Sequence, residues 1–153
     1  MVKLTRFESA ECPVARSLEA IGDGWALLII RDAFDGIRRF GEFQRSLGMA
    51  KNILSARLRS LVGHGIFEIV PASDGSAYQE YVLTEKGRGL FAVIIGLRQW
   101  GEGFFYAEGE AHSVLLDREH GQPLQALHVQ AADGRVLGPL DCVRVAAQSE
   151  AEG

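Results

Sequence analysis

Six basic side chains and one acid fall between residues 38 and 60: Arg38, Arg39, Arg45, Lys51, Arg57 and Arg59 against Glu42, a local charge of +5. The whole chain carries −4, so the positive charge is concentrated rather than general. Within this stretch Lys51, Asn52, Ser55 and Arg59 fall away from an apolar stripe of Leu54, Leu58, Leu61 and Val62 if the segment is a helix. That set suits duplex DNA. Lysine neutralises phosphate, asparagine pairs with adenine, and arginine pairs with guanine. Lys51 and Asn52 open the helix, where the macrodipole also favours phosphate. Asn52, Ser55 and Arg59 are the candidate groove contacts. Arg38 and Arg39 enter the preceding helix and are placed to grip the DNA backbone. Arg57 has two open roles, a phosphate contact or an internal pair.

These side chains need a scaffold, and the flanking sequence supplies its outline. Phe40, Phe43 and Leu47 mark a short helix over residues 40–47, and Gly48-Met49-Ala50 a turn. The basic helix follows over residues 51–62 and stops at Gly63-His64-Gly65. Residues 66–70 and 78–83 read as two strands joined by the polar tip Pro71-Ala72-Ser73-Asp74-Gly75-Ser76. Helix, turn, basic helix and hairpin in that order make a winged helix-turn-helix. Upstream, Pro13 starts a helix with Val14, Leu18 and Ile21 on one stripe, and residues 25–34 form a helix expected to be buried on most sides. Downstream, Thr84 caps a long helix expected over residues 85–105. Its Leu90, Ile94, Leu97, Trp100, Gly101 and Phe104 supply a stripe fitted to a dimer seam or, on the plainer reading, to core packing.

The length of 153 residues and 47% hydrophobic content fit one globular domain with a small appendix. The expected fold class is α+β: a winged helix-turn-helix domain over residues 8–105, a β appendix of two to four strands over 111–147 with a hairpin at Asp133-Gly134, and a disordered tail over 148–153. No apolar run reaches the length of a membrane span, and charges interrupt the N-terminus where a signal peptide would be apolar. Two distant cysteines, Cys12 and Cys142, are too few for a disulfide scaffold, and a cytoplasmic protein is the simplest expectation. His64, His112, His120 and His128 lack ligand spacing, so no metal and no cofactor are expected. No nucleophile elbow, phosphate loop or carboxylate pair suggests an enzyme.

The ordered pieces Cys12-Pro13-Val14, Gly24-Trp25-x-Leu27-Leu28-Ile29-Ile30-Arg31, Arg39-Phe40-x-x-Phe43, Leu54-Ser55-x-Arg57-Leu58-Arg59-x-Leu61, Gly65-Ile66, Tyr81-x-Leu83-Thr84-Glu85-Lys86-Gly87 and Leu97-x-x-Trp100-Gly101 resemble the HxlR-type transcriptional regulators, a branch of the MarR-like winged-helix proteins. The resemblance covers about residues 8–105. It implies a homodimeric, sequence-specific regulator on a palindromic operator, usually a repressor and sometimes an activator. It also implies that Cys12 stands where several relatives sense oxidants or electrophiles; the residue chemistry alone favours a half-buried apolar role over a sensor thiol. The wing departs from the pattern, since residues 73–77 carry no Lys or Arg. A small pocket between the Trp25 helix and the long helix could admit an aromatic effector of unknown identity, but the sequence itself does not show one. The competing reading is a winged-helix module that binds protein instead of DNA, which the overall acidity and uncharged wing would suit.

Overall fold

The computed structural model describes residues 10–148. In the first of its two compact units, which ends at Ile94, the order is α1 (Pro13–Ile21), α2 (Gly24–Phe34), α3 (Phe40–Leu47), α4 (Lys51–Gly63), β1 (Phe67–Pro71), β2 (Gln79–Leu83), α5 (Glu85–Arg88) and the start of α6 (Phe91–Phe104). Its core forms where the helical stripes meet. Ile29 and Ile30 of α2, Phe43 of α3, and Leu54, Leu58 and Leu61 of α4 are fully buried with Phe67 of β1. Phe67 meets Phe43 at 6.2 Å and Tyr81 at 6.5 Å between ring centroids, both edge to face.

The helix ends show why the segments break where they do. Asp23 caps α2 by accepting from the amides of Trp25 (2.8 Å) and Ala26 (3.3 Å). Gly48 ends α3 at φ 65°, ψ 25°, the left-handed region that only glycine enters cheaply, and so makes the sharp turn into α4. The wing is an antiparallel pair with Phe67 opposite Leu83 and Ile69 opposite Tyr81. Tyr81 N–H also donates to the Arg38 carbonyl at 2.8 Å, tying the approach to α3 onto the sheet edge.

Thr84 links the wing to the next helix. Its hydroxyl accepts from Gly87 N–H at 3.0 Å and donates to the Gly65 carbonyl at 2.5 Å. Lys86 Nζ donates to the His64 carbonyl at 2.6 Å. Gly87 lies so close to the Ile66 carbonyl that a Cβ would collide with it. The sequence suggests one helix over 85–105, whereas the structure breaks it between α5 and α6. Gly87 and Gly89 weaken the helix there, and the close approach fixes the backbone instead. α2 is less enclosed than expected, with Trp25 and Leu28 exposed, and α1 buries only Ile21 while Val14 and Leu18 face outward.

The second unit begins at Ile95 with the rest of α6. Beyond it the expected strands reduce to two isolated bridges, Leu116 to Pro123 and Gln130 to Val136. The hairpin at Asp133-Gly134 is present: Ala131 N–H donates to Arg135 O and Leu137 N–H to Val129 O, each at 2.8 Å. Ladders do not extend from it because Gly121, Gly134 and Gly138-Pro139 interrupt the apolar runs, and Pro139–Asp141 forms a 3₁₀ turn. Most of the expected tail, and residues 8 and 9 of the expected first domain, lie outside the described residues.

Candidate nucleic-acid interface

Helix α4 separates its two chemistries by face. Leu54, Leu58 and Leu61 point into the core, while Lys51, Asn52, Ala56 and Arg59 are exposed and Ser55 is half-buried beside them. The helix begins with Ala50 in an extended conformation and no side chain capping it. Its first-turn amides therefore rely on a partner from outside the helix, next to Lys51. Neither Lys51 nor Arg59 takes part in an ion pair among the described residues. Two exposed residues on the same elements escaped the sequence reading. Arg45 lies on α3, visible beforehand only as part of the charge count, and Ile53 on α4 is an exposed apolar side chain of the kind that contacts a thymine methyl.

Two of the other predicted cations, Arg57 and Arg39, are held in close internal pairs. Arg57 Nη2 pairs with Asp23 Oδ2 at 3.0 Å, and its Nε is buried without a hydrogen-bond partner. Of its two open roles, the structure displays the internal one: Arg57 ties α4 to the cap of α2. Burial works to raise the Asp23 carboxyl, but hydrogen bonds from Arg57, Trp25 and Ala26 outweigh it and hold the carboxyl below its usual value.

Arg39 is drawn toward the wing. Its Nη2 bonds Asp74 Oδ2 at 2.5 Å, its Nε reaches Glu80 Oε2 at 3.4 Å, and its guanidinium lies 5.1 Å from the Tyr78 ring centre. Only 27% of its side chain is exposed, against 53% for Arg38, which stands 3.8 Å from Glu80 Oε1. Arg38 thus remains open to solvent, and Arg39 acts as a latch between the entrance of α3 and the wing tip. The Ser76 hydroxyl and amide, with Arg39, hold the Asp74 carboxyl far below its usual range. Burial opposes the same shift at Glu80, but bonds from Ser73 and Arg39 prevail and lower it. The hydrogen bond that Arg39 donates to Asp74 raises Arg39 in turn.

The seam residues divide. Leu90 and Ile94 are partly buried against the core of the first unit. Farther along α6, Gly101 is half-buried, while Leu97, Trp100 (56%) and Phe104 (74%) are exposed. Cys12 is exposed at the start of α1 and caps nothing. Arg16, one turn on, uses its Nε to bond the Ala10 carbonyl at 2.5 Å. Cys142 is exposed in the second unit. A cavity of about 390 Å³ lies among α1, the α4–β1 turn and α5, lined by Arg16, Ala20, Ile21, Ile66, Lys86 and Leu90 among others. This is a different place from the effector space expected beside the Trp25 helix.

Comparison with known proteins agrees with this geometry. Residues 20–108 match a family profile described as HxlR-like helix-turn-helix. The chain is similar to an uncharacterised HTH-type transcriptional regulator of Mycobacterium tuberculosis, 45% identical over 123 residues, which span 80% of this chain and 70% of the relative. It is similar to the crystal structure of PA1607, described as a candidate transcription factor, at 56% identity and a TM-score of 0.88, covering 94% of this chain and 100% of that one. The reduced form of the redox regulator HypR matches at 32% identity and a TM-score of 0.55, over 60% of this chain and 92% of HypR. With a profile spanning more than half its length, and relatives that are regulators rather than enzymes, the chain belongs to the HxlR-like helix-turn-helix family of transcriptional regulators.

Proposed function

We propose that the protein binds duplex DNA as a homodimer and regulates transcription by occupying a palindromic operator, with repression as the outcome. The observation that carries this reading is the outward face of α4, where Lys51, Asn52, Ser55 and Arg59 stand opposite a buried leucine stripe. Lys51 and Arg38 contact phosphate; Asn52, Ser55 and Arg59 read base edges. In a homodimer formed through the long helix, two such helices are expected to stand about 34 Å apart, one turn of duplex. Selection of bound sequences from a random DNA pool, followed by titration against salt, tests the reading. An inverted repeat and an affinity falling steeply with ionic strength are expected. Retained partner binding without any DNA selection would favour the protein-interaction reading.

A second component rests on Cys12. Its thiol is solvent-accessible at the mouth of α1, and the chain is similar to a redox regulator. Reaction with a diazene oxidant such as diamide, or with a quinone, is expected to lower DNA affinity in the parent protein and not in Cys12→Ser. Identical responses of both proteins would end the redox component and leave the DNA reading intact.

A further inference from the structure

The first turn of α4 is built unlike the other helix starts around it. Asp23 caps α2 and Thr84 caps α5. At α3 the third residue, Glu42, turns back and its Oε1 accepts from Arg39 N–H at 3.2 Å. α4 follows Ala50 with no side-chain cap and no acid in its first turn, and its third residue is Ile53. Glutamate or glutamine there would satisfy a free backbone amide. Isoleucine satisfies none, and its branched Cβ makes it a poorer helix former. Ile53 does not serve the core either. Leu54, Leu58 and Leu61 of the same helix are fully enclosed, whereas Ile53 stays 41% exposed and outside the core cluster. A local rule broken without a packing gain is the mark of a functional position.

Placement on the helix supplies the partner. Residues three or four apart along a helix are surface neighbours. Asn52 and Ile53 therefore both border Ala56, and Ala56 borders Arg59. All four are exposed. The outward face of α4 thus carries an amide and a guanidinium with an apolar strip, Ile53 and Ala56, alongside them. Arg57, one turn beyond Ile53, is tied to Asp23 at 3.0 Å and is not a free charge beside the strip. The major groove of duplex DNA offers such a strip one apolar partner, the 5-methyl group of thymine, which the other three bases lack. A lone exposed isoleucine elsewhere on a surface needs no explanation. This one stands among the side chains that read bases, on a helix start that has no carboxylate to repel phosphate.

We propose that Ile53 is a specificity-determining residue that reads the 5-methyl group of a thymine, with the small side chain of Ala56 letting the helix approach the groove. The proposal rests on the DNA-binding reading and deepens it. Beside the adenine read by Asn52 and the guanine read by Arg59, each half-site holds a thymine recognised by its methyl group and not by its hydrogen-bonding edge. The contact is apolar. It adds discrimination between bases without adding a phosphate contact, and so leaves the salt dependence as it was.

The test uses the full chain and an operator selected from random DNA. Each thymine is replaced in turn, in both half-sites, by deoxyuridine, which removes the methyl group and leaves base pairing intact. At one position affinity is expected to fall about fourfold per half-site, the weight of one buried methyl group, with an unchanged salt dependence. Ile53→Ala is expected to bind the thymine and uridine operators equally. Lys51→Ala is expected to weaken both alike and to keep their ratio. If no sequence is selected, the DNA reading and this inference fall together. If an operator is selected and its affinity falls with salt, but no uridine weakens binding, the inference is overturned and the DNA reading stands. A thymine-to-uridine ratio that survives in Ile53→Ala overturns it as well. Ile53→Gln, which suits a solvated helix start, is expected to abolish the ratio in the same way and decides the matter if Ile53→Ala does not fold.

Discussion

Helix α4 presents Lys51, Asn52 and Arg59 to solvent, whereas the wing tip, the other part of such a module able to reach DNA, turns its nearest arginine inward against Asp74, Glu80 and Tyr78. Both regions are built on the same core, through Leu54, Leu58 and Leu61 of α4 and Phe67 of β1. They differ in where charge is matched. Around Lys51 and Arg59 no side chain of the described residues supplies the counter-charge; at the wing the chain supplies it. A basic residue counted in the sequence is therefore no measure of charge available to a ligand, and of the six in residues 38–60 two are held in close internal pairs.

The most severe test of this contrast removes the support beneath α4. Leu58→Ala leaves a cavity where the side chain is fully enclosed, and a stability loss of about 2–5 kcal/mol is expected in chemical denaturation. Arg59→Ala is expected to leave stability within about 0.5 kcal/mol and to weaken operator binding by about 1–3 kcal/mol, with discrimination lost at one base position. Lys51→Ala should weaken all sequences alike and flatten the salt dependence by about one phosphate contact. Arg57→Ala should do the reverse of Arg59→Ala: a stability change of about 0.2–1 kcal/mol, since its partner is partly solvated, and little change in the salt dependence. Equal effects of Arg57→Ala and Arg59→Ala on affinity would erase the distinction between held and open cations.

The smallest effect is at the wing and depends on pH. Asp74 and Glu80 are lowered in the folded chain, so the latch contributes fully above their unfolded values, near 3.8 and 4.5. That contribution is lost as pH falls through the folded values, not as pH rises. A carboxyl titration followed by NMR should place Asp74 well below 3.8 in the parent protein and move it upward in Arg39→Ala. An unmoved Asp74 would show that Ser76 alone sets its titration.

The readable part of the fold was its periodic part. Leu54, Leu58 and Leu61 at helical spacing announced both the core side and the free side of α4, and Thr84 announced a helix start that the structure confirms. Pairings between distant segments were not readable. Arg39 meets Asp74 and Glu80 from 35 and 41 residues away, and Arg57 meets Asp23 across the fold. No local pattern signals such pairs, so Arg39 looked like a phosphate ligand. The break between α5 and α6 was masked for a related reason: Gly87 is dictated by the nearness of Ile66, a tertiary contact, rather than by helical propensity.

The bonds from Thr84 to Gly65 and from Lys86 to His64, with the tight seat of Gly87, amount to a welded elbow at the end of α4. An elbow that does not flex makes a poor gripper and a good calliper. Each added base pair moves the far half of a binding site by about 3.4 Å along the duplex and rotates it around the axis. A rigid jaw cannot follow that displacement. Tolerance for altered spacing between half-sites should accordingly be low, and loosening the elbow at Thr84 should widen it.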